Sequence, residues 1–255
     1  SLMKHFLANS NEDGRDSTSS DFDERLFREY YSFPFYKGIT EGGSRAFMAS
    51  YNAWNGVPMT IHPVLKNITR NEWGNNGIIC TDGGALSLLV NAHKSFPTMT
   101  EGAAAVVKAS VGQFLDNFRP YIYEALKKGL LTEKNIDDAI RGNFQVALKL
   151  GLLDADQSMV PYAGIGVTDT VSPWNKPEVK AFVREVTAKS VVLLKNSNQL
   201  LPLNKSKLKS IAVIGPRANE VLLDWYSGTP PYTVSILQGI KNAVGKDVEV
   251  FYAPS

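Results

Sequence analysis

Asp82 stands at the end of the apolar run Gly77-Ile78-Ile79-Cys80-Thr81 and is followed at once by Gly83-Gly84. A short apolar run bounded by glycines reads as a buried parallel strand. A carboxylate at the C-terminal mouth of such a strand is where α/β barrels keep their catalytic groups. The same residue can also cap the helix that follows, because Asp is a favoured N-cap. Position alone leaves both readings open.

Two further segments carry side chains suited to a polar ligand. Lys4-His5-Phe6 precedes Leu7-Ala8-Asn9 and an acidic-polar loop, Asn11-Glu12-Asp13-Gly14-Arg15-Asp16. Lys and His after a strand can donate to hydroxyls, Lys adding a charge. A solvated surface pair is the competing reading. Met48-Ala49-Ser50-Tyr51-Asn52 alternates as a strand does and leads into Ala53-Trp54-Asn55-Gly56. Tyr51 and Trp54 near a strand end suit the apolar face of a sugar ring, and core packing equally well.

Other features point away from chemistry. Cys80, the single cysteine, lies inside the apolar run, where a small buried hydrophobe is the expected role rather than a nucleophile. The histidines at 5, 62 and 93 lack metal-ligand spacing, so no metal site is expected. Ile211-Ala212-Val213-Ile214-Gly215-Pro216 resembles the first strand of a nucleotide-binding unit but lacks G-x-G-x-x-G. Asp224 to Tyr232 is a polar-aromatic loop, either a ligand contact or a turn-rich connection. The net charge of +2 gives no electrostatic case for nucleic acid. No apolar stretch reaches the length of a membrane span.

The elements that must position these residues alternate strand and helix up to about Asp154. Arg45–Tyr51 and Gly77–Thr81 read as strands; His62–Trp73, Glu101–Leu115 and Pro120–Lys128 read as helices. Thr132 is a good N-cap for a further helix that stops at Gly151. This order argues for a parallel sheet or barrel. Too few strands are visible for a whole (β/α)8 barrel of roughly 250 residues, so the segment reads as the later half of one. Residues 155–176, with several Pro and Gly, read as a linker. A helix Pro177–Leu194, a strand Ser210–Pro216, a helix Ser235–Val244 and a strand Val248–Phe251 then open an α/β domain.

These blocks, in order, resemble glycoside hydrolase family 3, and its bacterial β-glucosidase and β-xylosidase branch in particular. The blocks are Lys4-His5-Phe6, Asp23-Glu24-Arg25, Met48 to Asn52, Ile78 to Ala85, Ile136 to Arg141, Leu150 to Asp154, Ser190 to Asn196 and Leu200 to Leu203. The resemblance implies an α/β chain: residues 1–154 as the C-terminal part of a TIM barrel, a linker at 155–176, and residues 177–255 as the start of an α/β sandwich. It implies an internal portion of a longer enzyme, working with the remaining segments of the same polypeptide. It implies a retaining exo-acting β-glycosidase, with Asp82 as the nucleophile and Lys4, His5, Tyr51 and Met48 as substrate-binding residues. Terminal β-D-glucose of an oligosaccharide or glucoside is the first expected substrate. A β-xylosidase or a non-catalytic sugar-binding homologue is the alternative. No cofactor, nucleic acid or membrane is expected, and a periplasmic or secreted location is favoured over the cytoplasm.

The sequence also departs from the family pattern. Gly83 stands where many members carry a tryptophan, so an aromatic platform for the next sugar must come from elsewhere. No glutamate here, Glu220 and Glu249 included, has the context of the family's acid/base residue. The loop Asn9–Asp16 lacks the histidine of the N-acetylglucosaminidase branch.

Overall fold

A computed structural model describes residues 1–167 and 172–255. Residues 168–171 of the expected linker lie outside the described residues. The described chain divides into two units, Ser1–Ala163 and Gly164–Ser255.

In the first unit the elements run β1 (Leu2–Phe6), β2 (Ser19–Ser20), α1 (Glu24–Leu26), α2 (Phe33–Thr40), β3 (Ala46–Ala49), β4 (Ala53–Trp54), β5 (Val57–Pro58), β6 (Ile78–Cys80), α3 (Ala85–Asn91), α4 (Met99–Lys108), α5 (Arg119–Lys127) and α6 (Glu133–Lys149). Strands β1, β3 and β6 form one parallel sheet in that order, which makes the unit α/β. Phe47, Met48 and Ala49 are all buried, as expected of a parallel strand covered on both faces. Phe6 pairs with Ala49, and Met48 with Cys80, so the three C-terminal ends lie together. A small second sheet joins β2, β4 and β5. Phe6, Phe27, Phe47, Leu65, Ile79 and Val106 are fully buried at the centre of the core.

Helix α6 is fixed at both ends and along its length. Thr132 and Asn135 form a reciprocal capping box at its start, and Gly151, at φ +71°, ends the turn that follows it. A Cβ on Gly142 would lie 1.9 Å from the Gly77 carbonyl oxygen, and one on Gly77 equally close to that of Arg45. Helix and strands therefore meet backbone to backbone, which only glycine permits.

Four expectations are corrected. Lys4 and His5 lie within β1 rather than after a strand. The strand expected at Arg45–Tyr51 pairs only over Ala46–Ala49, leaving Tyr51 beyond its end. The helix expected over His62–Trp73 is a wide π-type turn at Leu65–Arg70, because Pro63 holds His62 extended at ψ 133°. The helix expected at Glu101–Leu115 ends at Lys108, with Ser110 at φ +72°. The chain beyond it runs beside β6: Gly112 and Gln113 N–H donate to Ile79 O, and Thr81 N–H to Gln113 O.

The second unit contains α7 (Pro177–Ser190), β7 (Ser210–Ile214), α8 (Ile236–Val244) and β8 (Glu249–Ala253). Strands β7 and β8 pair in parallel over five residues each. Leu237 on α8 packs with Val213 and Ala218, and Ser235 caps the helix by accepting from Gln238 N–H. Helix α7 ends at Ser190 rather than Leu194, where the β-branched Val191-Val192 pair disfavours another turn.

Candidate active site

The parallel sheet brings residues from three strands to one edge. His5 lies near the C-terminal end of β1, Tyr51 just beyond β3 and Asp82 just beyond β6. His5 Nε2 stands 3.2 Å from Asp82 Oδ2, with 30% of the His5 side chain and 18% of the Asp82 side chain exposed. Burial holds the His5 imidazole below its usual range, outweighing the opposite pull of Asp82; Lys4 and Arg15 add to the lowering. The ring is therefore neutral at pH 7. It presents Nε2–H to the carboxylate, which only accepts.

Tyr51 Oη donates to the Gly83 carbonyl at 2.5 Å. Burial and the neighbouring negative charge of Asp82 push its hydroxyl up to about 12. Tyr51 is thus a permanent proton donor at any ordinary pH. Its backbone is held as well: His93 Nε2–H donates to Tyr51 O at 2.8 Å. Buried Ser50 and Asn52, on either side, donate to Leu7 O at 3.2 Å and Ala8 O at 3.2 Å. These bonds tie the exit of β3 to the exit of β1, where every backbone acceptor removed from water needs a partner.

Asp82 does not cap the following helix. Its Oδ1 accepts from the adjacent Gly83 N–H, at 2.8 Å. Gly84, at φ +79°, occupies the cap position with no side-chain cap of its own. The free N–H groups there go to Asp116: Gly84 N to Oδ1 at 2.6 Å and Leu86 N to Oδ2 at 3.3 Å. With the helix satisfied from elsewhere, Asp82 Oδ2 is left to face His5.

The other expected residues fall nearby in different ways. Lys4 is exposed beside His5, and its charge disfavours protonation of the ring. Met48 is 8% exposed on β3, in register with Cys80, beneath the level of Asp82. Cys80 is buried, and burial, with a contribution from Asp82, raises its thiol to about 11. That fits the small-hydrophobe reading. Trp54 is also a core residue, stacked on Phe27 at 4.6 Å.

Three residues of the site escape a reading by motif. Arg15 lies with its guanidinium 5.4 Å from the centre of the Tyr51 ring, paired to Glu12 at 2.9 Å. His93 and Asp116 reach the site from the end of α3 and the segment beside β6. Arg15 alone had a signal, its place in the polar loop after the Lys-His pair. Among the described residues no group of three His, Cys, Asp or Glu side chains is placed to hold a metal ion.

The chain that bears this arrangement, a carboxylate flanked by a neutral imidazole donor and a fixed phenol at the mouth of a parallel sheet, matches a known family in sequence. The glycosyl hydrolase family 3 N-terminal domain profile matches residues 1–143, and the C-terminal domain profile matches 191–253. The chain belongs to glycoside hydrolase family 3. A β-xylosidase of Formosa agariphila is 36% identical, over 98% of this chain and 36% of that protein. A periplasmic β-glucosidase of Salmonella typhimurium is 34% identical, over 98% of this chain and 33% of that one. Among solved structures, a family 3 exo-β-xylosidase bound to a xylobiose aziridine probe has a TM-score of 0.85 at 26% identity, covering 99% of this chain and 33% of its own. A Listeria innocua β-glucosidase bound to isofagomine has a TM-score of 0.82 at 25% identity, covering 99% and 35%. The chain thus spans about a third of the length of these relatives.

Proposed function

We propose that this chain carries the nucleophile and part of the sugar site of a retaining, exo-acting β-glycosidase. The observation that carries the reading is the 3.2 Å approach of His5 Nε2 to Asp82 Oδ2 at the ends of parallel strands. Asp82 attacks the anomeric carbon as a carboxylate, and the glycosidic C–O bond breaks. A second carboxyl group, about 5–5.5 Å from the first in retaining enzymes, protonates the leaving oxygen. It then takes a proton from the water that opens the glycosyl–Asp82 ester. That second group comes from the remaining segments of the same polypeptide. Residues 1–154 serve as the later half of a (β/α)8 barrel, residues 155–176 as the linker and residues 177–255 as the start of an α/β sandwich.

Lys4 and His5 bind sugar hydroxyls, Lys4 as a donor and the neutral His5 ring through its Nδ1 acceptor; Tyr51 holds the turn that bears the nucleophile, and Met48 supports the floor beneath it. Terminal β-D-glucose is the first substrate to test and β-D-xylose the second; relatives named for each stand at 34% and 36% identity. A periplasmic location accompanies this reading, on the likeness to the Salmonella protein.

The test is hydrolysis of p-nitrophenyl β-glucoside and β-xyloside by the full-length polypeptide and its Asp82→Asn variant. The variant is expected to lose more than roughly a thousandfold in kcat, as nucleophile removals do. Full activity in that variant would overturn the assignment.

A further inference from the structure

The turn Asp82-Gly83-Gly84 has a difficulty built into it. A carboxylate two residues before a helix is close to N–H groups that lack helical partners. Asp is among the side chains that most readily satisfy such groups. A nucleophile that turned inward to cap the helix would be lost to the sheet mouth. Gly84 offers no side chain to prevent it.

The structure resolves this from the far side of β6. The segment Gly112–Leu115 is fastened to that strand by its own bonds: Gly112 and Gln113 N–H to Ile79 O at 3.1 and 3.2 Å, and Leu115 N–H to Thr81 Oγ1 at 3.1 Å. It delivers Asp116 to the turn, where both carboxylate oxygens are used, one on Gly84 N and one on Leu86 N. Asp116 therefore occupies the donors that Asp82 would otherwise take. Asp82 keeps one oxygen on Gly83 N–H and directs the other to His5.

We propose that Asp116 is a positioning residue: by capping the turn after the nucleophile, it keeps the Asp82 carboxylate at the sheet mouth. Asp116 acts through Asp82 and does not touch the sugar. The role rests on the reading of Asp82 as nucleophile, and it supplies what that reading needs, a carboxylate held in one orientation.

Asp82 acts on His5 of β1, Tyr51 after β3 and Cys80 on its own strand; Lys4 and Arg15 act in turn on His5, Arg15 and Asp16 on Tyr51, and Asp116 bonds Gly84 N beside it. Removing Asp116 leaves two unpaired N–H donors beside Asp82. A carboxylate that accepts backbone N–H bonds is favoured in its charged form. Those donors draw the Asp82 carboxylate inward, away from His5, whose ring it otherwise pulls upward. The graded pair of variants below separates loss of the cap from loss of the charge.

The experiment is made on the full-length polypeptide with Asp116→Ala and Asp116→Asn. The Asn variant loses the charge but keeps one acceptor, for Gly84, leaving Leu86 N–H unpaired. Three readouts are taken: NMR titration of the His5 ring, kcat and KM on the p-nitrophenyl glycosides, and thermal unfolding. The Ala variant is expected to lose roughly 100-fold in kcat at a KM changed by no more than about threefold, the scale of an ångström misplacement. Its His5 midpoint is expected to fall below the parent's, because a displaced Asp82 no longer raises it. The Asn variant should lie between it and the parent in both measures.

A purely structural role for Asp116 would lower the unfolding temperature and leave kcat and the His5 midpoint unchanged, which overturns the proposal. Equal midpoints in the Ala and Asn variants would also overturn it, because charge loss alone would then account for the shift. If the Ala variant does not fold, an Asn variant with parental kcat and midpoint overturns it and lowered values support it. The His5 titration reads the position of the Asp82 carboxylate even if Asp82→Asn proves active. Failure of the nucleophile assignment and failure of this proposal therefore give different results.

Discussion

Tyr51 Oη donates to the carbonyl oxygen of Gly83 across 2.5 Å, and Asp116 receives the N–H of the next residue, Gly84, at 2.6 Å. The peptide after Asp82 is thus gripped on one side by the chain leaving β3 and on the other by the chain beside β6. Tyr51→Phe keeps the ring and removes only the grip. We expect kcat to fall about tenfold to a hundredfold, the sensitivity of a reaction to misplaced groups. Stability should fall by only about 1 kcal/mol, the net worth of one hydrogen bond. Because the parent hydroxyl lies up at about 12, a pH–rate profile should show no Tyr51 ionisation through pH 9. Parental kcat in the Phe variant would remove Tyr51 from the site.

His5 presents a second measurable consequence. Its ring stays neutral at pH 7 because burial outweighs the attraction of Asp82. Its NMR titration midpoint should accordingly lie below 6.5, the usual histidine value. In Asp82→Asn the raising influence is gone, so the midpoint should drop further. An ion pair that ruled the site would put the parent midpoint above 6.5 and contradict this account. His5→Ala should reduce kcat/KM by about tenfold or more, through loss of the Nε2–H donor to Asp82 and of a contact to the sugar.

The place of Asp82 beyond a strand was legible in the sequence because β6 is a continuous apolar run with glycines at both ends, the pattern of a strand covered on both faces, which is read without tertiary context. The same logic exposed β7 and the capped start of α6 at Thr132. Asp116 was not legible. Its segment carries no alternation, and the apolar residues from Ala103 to Leu115 extend the helical pattern past the point where Ser110 breaks it at φ +72°. The pairing that makes Gly112–Leu115 extended lies in β6, some thirty residues away in sequence, and a local reading cannot see it. Helix α7 shows a related error: Val191–Leu194 is an unbroken apolar run that extends the helix by eye, yet the helix ends at Ser190, before the β-branched Val191-Val192 pair.

Cys80 should be inert while the protein is folded. Its side chain is 2% exposed and its thiol lies up at about 11, so almost none is thiolate at neutral pH. Incubation with a disulfide reagent at pH 7.5 should label no thiol natively and one in denaturant. Cys80→Ala should keep parental kcat within about twofold and cost roughly 1 kcal/mol, the worth of a small buried group. Rapid native labelling would mean that the sheet mouth opens.

His62 sets an acid limit on the first unit. Its ring stacks on Trp54 with centroids 4.8 Å apart, and its Nδ1 accepts from Val64 N–H at 3.2 Å. Burial pushes it down to about 4, against the small opposing effect of a backbone hydrogen bond with Trp54. Protonation would turn the Nδ1 acceptor into a donor facing Val64 N–H. The unfolded chain, with an ordinary midpoint near 6.5, binds one more proton than the folded one between about pH 6.5 and 4. Stability from this source is complete above about pH 6.5 and is lost as pH falls through 4. The full effect is at most about 3 kcal/mol, and less because part of the ring meets solvent. His62→Phe keeps the stack and removes the titration, at a cost of about 1 kcal/mol for the unpaired Val64 N–H. Urea unfolding at pH 7, 5.5 and 4.5 should therefore show the Phe variant less stable at pH 7, with the gap closing and then reversing as pH falls toward 4. A constant gap between them would mean that His62 is protonated without cost in the folded state.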